Sequence, residues 1–136
     1  MLQKLSLVDL VKGIKEKLEE KTSTTCYDEP PKDAASPLYY IEVVNKRPED
    51  TKTMWCEVYT VYLHIIGEKK QGNVQLYELI QEAEEALTEG IALPDGFELV
   101  LQASQGIISN KKDETGEKHV VIAYDFKISY GFKMKI

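Results

Sequence analysis

Apolar positions in this chain recur first with a helical period and then with the alternation of strands. Leu2, Leu5, Leu7, Leu10, Val11, Ile14 and Leu18 stand among Lys and Glu in residues 1–20. Most of them share one side of a helix of about 3.6 residues per turn, which predicts a helix with Gly13 as its weakest position. Residues 21–37 have no period and hold three of the five prolines. They predict a long mobile loop, a feature that is uncommon in a compact domain and usually functional there. From Leu38 the texture turns to β. Residues 38–44 are rich in β-branched and aromatic types, and 54–66, with Trp55, Tyr59, Val61, Leu63 and Ile65, read as a long second strand. The polar stretch 45–53 is too long for a tight turn, and strands joined locally usually pair antiparallel.

The second half repeats this order. After a loop at 67–73, residues 74–89 place Leu76, Leu79, Ile80, Ala83, Ala86 and Leu87 on one stripe of a helix. Glu78, Glu82 and Glu85 fall outside that stripe, Asn73 is the expected N-cap and Gly90 the expected stop. Pro94-Asp95-Gly96 is a turn, and strands at 97–108 and 119–132 flank a polar, mobile hairpin loop at 109–118. In the last strand Val120, Ile122, Tyr124, Phe126, Ile128 and Tyr130 share one face. The other face, with Asp125, Lys127 and Ser129, is expected to meet water or another subunit. The order α-β-β-α-β-β predicts one α+β domain over residues 1–136. Its expected core is a mainly antiparallel sheet of about four strands with both helices packed on one face.

Composition narrows the function classes. A chain of 136 residues can bury a core without a metal or disulfide to staple it. Its 17 basic and 23 acidic residues give a net charge of −6, the wrong sign for non-specific affinity for phosphate. Sequence-specific nucleic-acid binding is not expected either. The pairs Lys69-Lys70 and Lys111-Lys112 lie beside Glu or Asp and near Gly, and read as solvated turns. No apolar run approaches the roughly 18 residues of a membrane span, and residues 1–21 lack the apolar core of a signal peptide, so a cytosolic protein is expected. Cys26, placed in the polar loop, and Cys56, in a strand, suit free thiols better than a metal pair or disulfide framework.

Catalytic patterns are scarce. His64 lies within a strand and His119 opens another, and neither has a local motif that would orient it as a general base. There is no Cys-x-x-Cys, His-Glu-x-x-His or EF-hand spacing, and Glu82, Glu84 and Glu85 read as a solvated helix face. The acidic run 113–117 lacks the alternation of a calcium loop. Gly67 and Gly72 flank a Lys pair without the ending of a phosphate loop. Trp55, the single tryptophan, is expected to anchor a core or an interface. No enzyme activity, cofactor or metal is expected, and a binding or structural role is favoured.

The order and texture of 38–134 go further. A Ser-Pro-Leu-Tyr-Tyr-Ile lead-in at 36–41 precedes the strand Thr-Met-Trp-Cys-Glu-Val-Tyr-Thr-Val-Tyr-Leu-His-Ile-Ile at 53–66. A helix ending Ala-Leu-Thr-Glu-Gly at 86–90 follows, then the Leu-Pro-Asp-Gly turn at 93–96 and the closing strand 119–128. This arrangement resembles the tail-completion, or tail-terminator, proteins of long-tailed bacteriophages and prophages, which join tail to head. The resemblance covers the last hundred or so residues plus the expected N-terminal helix. The long 21–37 segment and the extended 45–53 connection depart from it.

The resemblance implies a structural virion protein in the tail or neck, assembled in the cytoplasm of a bacterial host. It would be a monomer before assembly and a hexameric ring afterwards, touching the tail-tube protein on one side and the head connector on the other. The contact candidates are Tyr27 and Asp28 in the long loop, with Lys69, Lys70, Lys111, Lys112, Asp113 and Glu114 in the two later loops. One alternative is another head–tail connector or minor tail protein. A second is a small-molecule-binding domain that uses His64 on the sheet.

Overall fold

In the computed structural model, which describes residues 2–112 and 116–133, seven elements follow one another. They are α1 (Leu7–Lys21), β1 (Cys26–Tyr27), β2 (Leu38–Pro48), β3 (Met54–Ile66), α2 (Asn73–Ala86), β4 (Glu98–Lys112) and β5 (Lys118–Phe132). The α+β class is as the pattern predicts. The sheet, however, is five-stranded and mixed, in the order β1-β2-β3-β5-β4. The added strand is β1, which pairs parallel with β2 through Cys26–Tyr39 and Tyr27–Tyr40. Cys26 is therefore a fully buried strand residue and not part of a polar loop. Two residues are too few to show a period, so only the pairing reveals β1.

Helix α1 starts where its cap allows. The Ser6 side chain accepts a hydrogen bond from the Asp9 backbone N–H at 3.1 Å, and Leu10, Gly13, Ile14 and Leu18 are buried. Leu7 and Val8 lie outside that stripe and are exposed. Helix α2 is shorter than its pattern. Gly72 occupies the N-cap without a side-chain bond, while Asn73 Oδ1 accepts from Lys118 Nζ at 2.6 Å. At the other end Gln102 of β4 substitutes for a glycine stop. Its Nε2 donates to the Leu87 and Glu89 carbonyls at 2.8 Å each, and its Oε1 accepts from the Ile91 N–H at 3.0 Å. The C-cap carbonyl and the turn that follows the helix are thereby satisfied from the sheet.

β2 and β4 run further than predicted, because pairing partners extend them through polar residues: Lys46 lies opposite Tyr59 and Lys111 opposite His119. Lys111 and Lys112 consequently belong to a strand and not to a turn. One face of the sheet packs on both helices through Tyr39, Tyr59, Leu63, Phe126 and Ile128. Tyr39 anchors α2 by donating to the Leu79 carbonyl at 2.7 Å.

Burial pushes the Cys26 thiol up to about 12, with Glu19 adding a smaller upward push. The folded thiol stays protonated where the unfolded one ionises, so the contribution is full below the unfolded value and fades as pH rises towards about 12. Neither Cys26 nor Cys56, both buried and free, should react with a thiol-specific disulfide reagent at pH 8 until the chain unfolds. The thermal midpoint should fall between pH 8.5 and 11. Rapid labelling of the folded protein would contradict this packing.

Candidate functional site

Among the described residues the second face of the sheet carries no helix, and its polar side chains form two groups. At one end His64, only 9% exposed, stacks on Tyr40 with ring centroids 4.1 Å apart and planes 4° apart. His64 Nε2 lies 2.8 Å from Glu42 Oε1, and His64 Nδ1 lies 2.8 Å from His119 Nε2. A carboxylate only accepts, so His64 carries a proton on Nε2, and in its neutral form Nδ1 accepts from His119. This chain crosses β2, β3 and β5, far apart in sequence, so spacing could not show it. His64→Leu removes both bonds and should lower stability by about 1–2 kcal/mol, with His64→Gln lowering it less. Equal midpoints for all three proteins would refute a structural role for the relay.

Mid-sheet, the Thr60 hydroxyl donates to Asp125 Oδ1 at 2.7 Å and accepts from Arg47 Nη1 at 3.2 Å. Lys127 stands 3.8 Å from Glu49. Asp125 and Lys127 are half-buried and Ser129 is buried, so their strand face is shielded in the isolated chain by neighbouring side chains. The reason is position: β5 sits inside the sheet, between β3 and β4. Beneath the sheet, on the helix side, Glu57 is 6% exposed, with Lys4 at 3.6 Å and Lys46 at 3.9 Å. Beside it the Tyr59 and Tyr130 hydroxyls are hydrogen-bonded to each other. Burial first, then the bond to Tyr59, pushes the Tyr130 hydroxyl far above its ordinary range.

Among the described residues the contact candidates gather around one end of the sheet. Lys69 and Lys70 are exposed in the β3–α2 loop, where they line a hollow of about 430 Å³ with Ala34, Ser36 and Glu117. Exposed Lys111 lines another beside Tyr77 and Lys118. Tyr27 is half-buried in β1, and exposed Asp28 follows it. Asp113 and Glu114 lie outside the described residues. Trp55 is 39% exposed with Lys133 Nζ 4.7 Å from its ring centroid, so it is no core anchor. Among the described residues no group of three or more His, Cys, Asp or Glu side chains could hold a metal, and no helix is long and apolar enough to cross a membrane.

Against this geometry stands a family match. The model of a phage tail-terminator family, described as "Putative tail termination protein", matches residues 1–136. The chain belongs to this family. It is a structural phage tail protein. No curated protein matches it. Among solved structures, a chain from the "Virion of native gene transfer agent (GTA) particle" shares its fold. The TM-score is 0.73 at 15% identity, covering 90% of this chain and 96% of that one.

The terminator match runs through 21–37 and 45–53, the two segments that depart from the expected texture. Structurally, the first supplies β1. The second is the end of β2 and a turn in which Asp50 Oδ1 accepts from the Cys56 N–H at 2.8 Å. Sequence reasoning missed the His64–His119–Glu42 relay, the Arg47–Thr60–Asp125 group and the role of Gln102. Only Gln102 left a trace, as a lone polar residue between the apolar Leu101 and Ala103.

Proposed function

We propose that this protein is a tail terminator that caps the tail tube as a hexameric ring and offers the surface to which the head connector joins. The observation that carries the reading is the family match along the whole chain. The fold suits it. The two edges of the sheet leave strand backbone available to neighbours, and a ring needs head-to-tail contacts that close by rotation. A net charge of −6 is compatible with a channel through which DNA slides. The work is done by shape and contact, without catalysis or a cofactor. In this reading the partners are further copies of itself, the tube protein and the connector, and the protein resides in the tail or neck after cytoplasmic assembly.

Deleting the gene should give particles with tails of uncontrolled length and unattached heads, visible by negative-stain electron microscopy and restored by the gene in trans. Tails of normal length, joined to heads, in the deletion would exclude the reading. Normal tail length with unjoined heads would instead favour another head–tail connector component.

A further inference from the structure

The sheet has two open edges, on opposite flanks. β1 covers β2 only at Tyr39 and Tyr40, so among the described residues β2 has no strand partner on its outer side from Ile41 onward. Among the described residues β4 pairs with β5 alone. Such edges are usually blunted by bulges and charge. β4 has three register shifts, yet Val100, Leu101, Ile107 and Ile108 remain between 46% and 52% exposed. Along the open part of β2 runs a groove of about 690 Å³, lined by Leu7, Val8 and Val11 of α1 and by Ile41 and Val43 of β2. Val8 is 76% exposed. An apolar trough beside an unpaired strand edge is the form in which sheets accept an added strand.

Charge selects the occupant and its direction. Asp28 and Glu29 stand at one end of the groove, while Lys46 and Arg47 lie further along β2. β4 begins with Glu98 and carries Lys111 near its end. Antiparallel addition of β4 to β2 turns Glu98 towards Lys46 and Arg47, and Lys111 towards Asp28 and Glu29. Parallel addition would oppose like charges at both ends. The helical layer agrees. Lys12 and Lys15 of α1 border the groove, whereas Glu84 and Glu85 of α2 stand beside β4, around a hollow shared with Gln102 and Ser104.

We propose that this groove receives β4 of a second copy, antiparallel, so that the sheet continues from one subunit into the next. The basic side of α1 then meets the acidic side of the neighbour's α2. Groove and strand lie on different flanks, so the contact is head-to-tail and repeats until a ring closes. It gives the ring of the tail-terminator reading a specific seam and rests on that reading for its setting.

The test uses two charge reversals of the full chain at exposed positions: Lys12→Glu with Lys15→Glu, and Glu84→Lys with Glu85→Lys. Thermal midpoints within a few degrees of wild type establish that both fold. By sedimentation, wild type should form species larger than dimers as concentration rises to about 1 mM. Each variant alone should stay monomeric at least tenfold higher in concentration than wild type. An equal mixture should recover wild-type association, since every seam then opposes unlike charges. Absence of wild-type association, unaltered association of either variant, or a mixture no better than its parts would overturn the seam. A deletion with normal tails would overturn the terminator reading while leaving the sedimentation result intact.

Discussion

Phe126→Ala is expected to be the most damaging single truncation, lowering stability by about 3–5 kcal/mol. Phe126 lies in β5, an interior strand, with Tyr59 of β3 and Gln102 of β4 opposite it. It is 1% exposed, and its ring centroid lies 6.4 Å from that of Tyr124. A cavity there sits between three strands and the helical layer, where hydrogen-bonded strands cannot collapse to fill it. Domains are stable by only about 5–15 kcal/mol, so the loss is a large fraction of the total. The thermal midpoint should fall by roughly 10–20 °C, and the denaturant midpoint should fall with little change in slope. Phe126→Leu, which keeps most of the volume, should cost less than about 1.5 kcal/mol. Equal losses for Leu and Ala would mean that the ring's shape, and not its volume, holds the site.

Gly13→Ala is expected to destabilise, against what helix propensity predicts. Within a helix, replacing Gly by Ala should add about 1 kcal/mol of stability. Here a Cβ on Gly13 would meet the Ala92 carbonyl oxygen at 2.6 Å and Ile91 Cδ1 at 3.5 Å. The first obstacle is backbone and cannot rotate away, so α1 must lift from the 91–94 link that crosses it. We expect a net loss of about 1–3 kcal/mol by denaturant unfolding, the range for overpacked cores. Lys15→Ala, on the exposed side of the same helix, should change stability by no more than about 0.5 kcal/mol. A gain in stability for Gly13→Ala would show that the link yields freely.

Gly13 illustrates how far the sequence was legible. From the pattern it is a weak point in a helix, because periodicity reports which side a residue faces but not what crosses that side. β3, read as 54–66, matches the structure because apolar and β-branched residues fill it from end to end. The pattern ends β2 and β4 too early because Lys46, Arg47 and Lys111 are held in strands by pairing, which propensity does not carry. The sequence pattern places the contact candidates in loops. Lys69 and Lys70 lie in one, but Tyr27 and Lys111 are strand residues at or near the two open edges.

By itself the sequence determined the α+β class, both helices, the strand β3, the apolar face of β5 and the resemblance to tail-terminator proteins. These are local in the chain: each follows from residue types at a fixed period or in a fixed order. The tertiary structure alone decided the parallel β1 and the inside position of β5. It also decided the relay of His64 with Glu42 and His119, the capping of α2 by Gln102, and the groove beside β2. Each joins residues on separate elements, and no period along the chain specifies which strand will lie next to which. That choice is made when the two helices and the sheet bury their apolar faces together.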